Sequence, residues 1–159
     1  MIIVDNIHVE ATPEKVCGLI HATIKNGGID RSRRQVWTLG GTPGGFVTFI
    51  DLVYLFGENG VCLNPGDIFR RAINRDAAFI IVAELWPKNS QACQPENVME
   101  RLIEAGRILG IEFKEKIYVG ESGCLFWTPY IYIEKQRVIT WREIKKKTPL
   151  GGKGEGAQR

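Results

Sequence analysis

No C-x-x-C pair and no His-x-x-x-His occurs in this 159-residue sequence. Its four cysteines, Cys17, Cys62, Cys93 and Cys124, stand far apart, and it has two histidines, His8 and His21. A zinc-finger layout is excluded by that spacing, and the cysteines read as reduced, partly buried small residues. Long apolar runs are also missing. The longest, Ala77 to Ala83, falls far short of the ~20 residues that cross a bilayer. The start, Met1-Ile2-Ile3-Val4-Asp5, lacks the basic residues that open a secretory signal, so a cytoplasmic protein without membrane contact is expected. There are no internal repeats and no interior linker rich in proline, glycine or serine.

What is present is the make-up of an ordinary globular domain, 44% hydrophobic and 25% charged. A chain of about 150 residues buries roughly two thirds of the surface its unfolded form exposes, so it needs no disulfide or metal staple. The formal charge of +3 is unevenly spread. From Trp141 to Arg159 there are six basic residues against two acidic ones, which leaves 15 basic and 16 acidic in the rest. We therefore expect one domain over residues 1–143 and a basic, glycine-rich tail over 144–159, where an acidic partner would bind.

Residues 1–10 alternate weakly, as an entering strand does. Thr12-Pro13-Glu14 reads as a helix cap, first position and acidic first turn, followed by Val16, Leu19, Ile20 and Ile24 at helical spacing and stopped at Asn26-Gly27-Gly28. The β-branched and aromatic segments 35–39 and 46–56 flank Gly40-Gly41-Thr42-Pro43-Gly44-Gly45, a hairpin connection. That glycine run lacks a Lys-Ser/Thr ending and precedes a strand, which argues against a phosphate cradle. Asn64-Pro65 caps a second helix whose Ile68, Phe69, Ala72 and Ile73 form an apolar stripe, ended by Asp76. The continuous apolar run 77–83 predicts a central strand buried on both faces. Pro95-Glu96 opens a third helix with Val98, Leu102, Ala105 and Leu109 inward and Gly110 as its stop. Three strands follow, over 113–119, 124–129 and 130–141. The pattern predicts an α/β protein with a mixed sheet flanked by helices.

The run from Asn64 to Ala83 resembles the part of RadC-like proteins that reads His-Pro-Arg-Glu, helix, Asn-Ala, buried strand. Glu104-Ala105-Gly106-Arg107-Ile108-Leu109-Gly110-Ile111 and Ile117-Tyr118-Val119-Gly120 are similar to the helix and Ile-x-x-Gly strand that follow in that family. The resemblance covers about residues 12–128 and is dense between 64 and 120. It implies the JAB/MPN (JAMM) fold, a cytidine-deaminase-like mixed sheet flanked by helices.

That resemblance also implies a mononuclear zinc hydrolase in active members: two His and one Asp on the metal, a Glu that takes a proton from the metal-bound water, and a Ser that donates to the oxyanion. In this chain the positions carry other residues. The two His places fall at Glu84 and Trp86, within Glu84-Leu85-Trp86-Pro87. The Asp place falls at Asn97, or at Pro95 if the loop is two residues shorter, and the Ser place correspondingly at Gln94 or Ala92. The Glu place falls at Gln35, which keeps the shape of a Glu without its basicity. An indole nitrogen only donates, so Trp86 cannot ligate. The expectation is a degenerate pocket without tightly held metal, no cofactor and no catalysis. A relocated site using His8, His21, Cys62 or Cys93 with Glu84 is the alternative. Glu84 also admits a structural role, a carboxylate paired with a nearby arginine beneath an aromatic lid.

Trp86, Trp127 and Tyr130 are candidate contact anchors, with Trp37, Phe126 and Trp141 the other members of an aromatic set that core packing also accounts for. Arg31, Arg33 and Arg34, with Lys145, Lys146 and Lys147, are candidates for one basic face suited to nucleic acid, solvated charge being the plainer reading. The expected function is a catalytically inactive RadC/JAB-like domain that binds another protein, with homodimerisation open to it. Because RadC-like proteins often accompany mobile elements, the resemblance extends this to an inhibitor or accessory subunit from such an element or a phage, acting against host defence. The alternatives are a nucleic-acid accessory using the basic tail and a metal-dependent hydrolase with a rebuilt site.

Overall fold

A computed structural model describes residues 3–55, 63–87, 98–133 and 136–145; within these, the side chains of 98, 127–133 and 136–145 are not described. Eight strands form one mixed sheet: β1 (Ile3–Val4), β2 (Val9–Glu10), β3 (Gln35–Gly41), β4 (Phe46–Leu55), β5 (Phe79–Leu85), β6 (Glu112–Val119), β7 (Gly123–Ile133) and β8 (Gln136–Lys145). Their order is β1-β4-β3-β5-β6-β7-β8, with β2 also pairing β4. Only β5 and β6 run parallel, and α3 (Val98–Leu109) lies between them in sequence. The helix α1 (Pro13–Gly27) covers one face of the sheet, while α2 (Pro65–Asn74) and α3 cover the other.

Each helix follows from its ends. Pro13 starts α1 with its φ already set, extended Thr12 caps it without a side-chain bond, and Gly28 ends it at φ 66°, donating to the Lys25 carbonyl. Asn64 caps α2 by accepting from Gly66 N–H at 2.8 Å. The β3–β4 hairpin needs Gly41, where a Cβ would sit 1.8 Å from the Phe46 carbonyl oxygen.

β5 is the central strand, and all seven of its residues are buried. Phe79, Ile81, Ala83 and Leu85 pack into the α1 core with Val16, Ile20, Ile24 and Trp37. Ile80 and Val82 pack into the second core with Ile68, Phe69, Leu102 and Phe113. The pleat therefore assigns Glu84 to the α2/α3 face, a charge inside a strand with no exposed side.

Several expectations shift. Residues 124–133 form one strand, β7, instead of ending at 129, because the ladder to β8 continues from Thr128 to Ile131 across an irregularity. Ile144 and Lys145, assigned to the tail, pair with Cys124 and Gly123, so the strand runs past 143. The entering strand is two short pieces on either side of Asn6, a positive-φ residue at 59°. Ile73 and Leu109, expected inward, are exposed, since both sit at the last turn of helices whose inner contacts have ended. No helix among the described residues is long and apolar enough to cross a membrane.

Two polar clamps fix α2 to β4. Buried Asp51 meets Arg75 Nη1 at 2.9 Å and Arg71 Nε at 3.6 Å; burial raises its pKa and the two arginines oppose that. Tyr54 donates its hydroxyl to Asp67 in the first turn of α2. Burial, then the bond to Asp67, push the Tyr54 phenol up to about 12. A proton held more tightly in the folded chain than at the ordinary value of about 10 contributes stability below that pH and loses it as pH climbs through the folded value. The urea midpoint of the wild type should therefore drop between pH 10 and 12, roughly, and Tyr54→Phe should flatten that drop.

Candidate functional site

A buried ionic cluster sits at the C-terminal end of β5, the end where open α/β sheets place their ligand crevices. Glu84 opposes Val36 on β3 and Tyr118 on β6. Its Oε1 lies 2.7 Å from Lys116 Nζ, and its Oε2 lies 3.4 Å from an Arg34 Nη2. Glu84 and Lys116 are fully buried and Arg34 is 4% exposed. Above the cluster the Arg34 guanidinium lies over the Trp86 ring at 4.0 Å, and Lys116 lies 4.8 Å from the Tyr118 ring centre. A carboxylate this deep is tolerated only when paired, and here both of its oxygens face a cation.

The alternation of strands explains who meets whom. Lys116 and Tyr118 alternate with Ile117 and Val119, which belong to the α1 core, so they share the face of Glu84. Trp86 follows two residues after Glu84 and lies on the same side, where Arg34 reaches it.

Gln35 points away from the cluster. It shares the opposite face with Trp37, accepting from the indole N–H at 3.0 Å and donating to the Asp30 carbonyl at 3.3 Å. The side chain that reaches the cluster is that of its neighbour Arg34, the residue just before β3, since a single step along an extended chain reverses the face. Arg34 thus brings a cation to the cluster, while Gln35, where the resemblance places a proton-accepting carboxylate, packs on the other face. Arg34 is likewise withdrawn from the expected basic face, since it is buried in the cluster.

The described residues do not fit the zinc set that the resemblance implies. Glu84 has its oxygens committed to Lys116 and Arg34, and Trp86 offers no lone pair. Asn97, Pro95, Gln94, Ala92, Cys62 and Cys93 lie outside the described residues, as do Lys146 and Lys147. Trp127, Tyr130 and Lys145 lie on β7 and β8 in the part where side chains are not described. His8 stacks on Phe46, ring centres 4.1 Å apart, and so is far from any role with Glu84.

Beside the cluster, on the rim of the sheet, is a groove of about 500 Å³. Leu85, Trp86, Pro87 and Val119 supply its apolar lining, and Arg31, Gly120 and Glu121 complete it. Exposed Arg31 donates to the Gly120 carbonyl at 3.2 Å, which ties the segment before β3 to the β6–β7 turn. Arg33 is exposed nearby in sequence. Sequence reasoning missed Lys116: a lysine in an otherwise alternating strand reads as a solvent-facing residue, and only the parallel pairing of β5 with β6 turns it onto Glu84.

Residues 54–127 match the sequence profile of the RadC-like JAB domain. Over 113 residues the chain is 28% identical to a UPF0758 protein of Desulforudis audaxviator, a match covering 70% of this chain and 47% of that protein. It is 36% identical over 75 residues to a UPF0758 protein of Moorella thermoacetica, covering 46% and 33%. With a UPF0758 protein of Alkaliphilus oremlandii the identity is 37% over 66 residues, covering 40% and 28%. The chain therefore spans about half or less of the length of these curated relatives.

Removing one side of a buried pair leaves a charge uncompensated. Lys116→Met should cost about 3 kcal/mol in urea unfolding, the low end for such a change because Arg34 still faces Glu84. Adding Glu84→Gln should return part of that loss, giving a coupling of about 1 kcal/mol or more in the double-mutant cycle.

Proposed function

From the premise that this chain carries a RadC-like JAB domain over residues 54–127, we propose that it works by binding a protein and does not hydrolyse one. The observation behind this reading is the engagement of Glu84 by Lys116 at 2.7 Å and Arg34 at 3.4 Å. Two fixed protein cations hold the carboxylate at the position where the fold would otherwise assemble a metal. An ammonium within hydrogen-bond reach neutralises a base and competes with a metal for the same lone pairs. Arg34 brings a second cation, and no proton acceptor, to the carboxylate of Glu84.

The groove beside the cluster is the contact surface in this reading. Its floor is apolar and aromatic while Arg31 and Glu121 carry charges of both signs, the composition of a small interface centred on an anchor. A loop or extended segment of a partner protein suits its size. We further propose that the protein is an inhibitor or accessory subunit of a larger assembly, encoded by a mobile element or phage. That setting is supported by the family resemblance alone.

The test is affinity capture by the full chain from cells of its source, followed by measurement of the captured protein's affinity. Trp86→Ala and Arg31→Glu should each weaken binding by about 30-fold, the effect of losing an anchor worth ~2 kcal/mol. Hydrolysis of a peptide or isopeptide bond that disappears with Glu84→Gln would overturn the reading. Binding that is indifferent to both groove variants, falls steeply with salt and vanishes on deletion of 146–159 would instead make the protein a nucleic-acid accessory.

A further inference from the structure

A second cluster lies on the other face of the sheet. Cys17 and His21 stand one turn apart on the buried side of α1, and Cys124 follows Gly123 at the start of β7. The three side chains are 1%, 3% and 3% exposed. One ligand atom from each lies within 4.8 Å of the others, and the two sulfurs are in contact at 2.7 Å. The residues are 107 positions apart in sequence, so only the packing of α1 on the β6–β7 hairpin joins them. Among the described residues, this is the one such grouping of ligating side chains.

We propose that Cys17, His21 and Cys124 bind one zinc ion. A His21 ring nitrogen lies 3.1 Å from the Gly123 carbonyl oxygen. An imidazole that donates one N–H to a backbone carbonyl presents its other nitrogen unprotonated, which is the form that ligates, and the carbonyl holds the ring still. Charge selects the ion. Two thiolates and a neutral imidazole carry two negative charges, which a divalent cation cancels inside an apolar core and a monovalent one does not. Sulfur and nitrogen donors select zinc over magnesium or calcium, which prefer oxygen.

The ion displaces both thiol protons, which pass to solvent, and forms two Zn–S bonds and one Zn–N bond with no change in oxidation state. The sulfurs must part from contact to about 3.8 Å, the spacing that two ~2.3 Å Zn–S bonds set at a tetrahedral angle. That opening has to come from the side-chain torsions of Cys17 and Cys124. Three protein ligands leave a fourth position for water or an external ligand. The ion clips the N-terminal helix to the C-terminal hairpin, independently of Glu84 on the opposite face.

The full chain, reduced and stripped with a chelator, is titrated with Co²⁺ and then Zn²⁺. One equivalent of Co²⁺ should give a thiolate-to-cobalt charge-transfer band that Zn²⁺ displaces. Cys17→Ser and Cys124→Ser should each weaken binding by more than about 100-fold, beyond the loss produced by changes outside the ligand shell. Glu84→Gln and the double variant Cys62→Ala/Cys93→Ala should bind as the wild type does. No cobalt–thiolate band in wild-type protein that circular dichroism shows to be folded would overturn the proposal, whatever the variants do. So would metal binding that follows Glu84, Cys62 or Cys93, or a Cys17–Cys124 disulfide that, once reduced, takes up no zinc. Metal tracking Glu84 would count against the binding role proposed above as well, whereas loss of the Cys17 site alone would leave that role standing.

Discussion

The pairing of Glu84 with Lys116 and Arg34 governs the architecture around the central strand. An ionised carboxylate in a strand buried on both faces has no route to water, so neighbouring strands must bring cations to it. Arg34 comes from the residue just before the antiparallel neighbour β3 and Lys116 from the parallel neighbour β6, and Trp86 closes over Arg34. Three consecutive strands of the sheet are thereby held in one register at one end. A slip by one residue would send the lysine to the α1 core and leave Glu84 without its closest partner.

The same cluster defines the chemistry available there. A hydrolytic site needs an electrophile with an open coordination position and a base with a lone pair to spare. Here the carboxylate oxygens of Glu84 are turned towards ammonium and guanidinium, and the Trp86 ring lies against the Arg34 guanidinium. What this end of the sheet offers a visitor is shape: an apolar floor from Leu85, Trp86, Pro87 and Val119 with charges at the edge. Under the binding role proposed above, that shape is what a partner macromolecule would recognise.

The two faces of the sheet carry different polar interiors. On the α2/α3 face, Asp51 and Glu84 each face basic side chains, so the face is held by charge. On the α1 face Cys17, His21 and Cys124 bring two sulfurs and an imidazole together, donors of the kind that soft cations take. Each set lies where elements from distant parts of the chain converge.

Much of the fold was legible in the sequence because its signals are local. Pro13, Asn64 and Gly28 mark helix ends through backbone geometry, and the apolar run before Glu84 marks a strand with two buried faces. The family resemblance was legible for the same reason, being carried by a contiguous segment. The pairing of Glu84 with a nearby arginine beneath the Trp86 ring was identifiable from that segment. What tertiary structure alone decided was facing and convergence: that Gln35 turns away and Arg34 turns in, that Lys116 is an interior cation, and that Cys17 meets Cys124. A strand's pleat fixes alternation but not which side is which until its neighbours are paired, and contacts between residues more than a hundred positions apart leave no periodic trace along the chain.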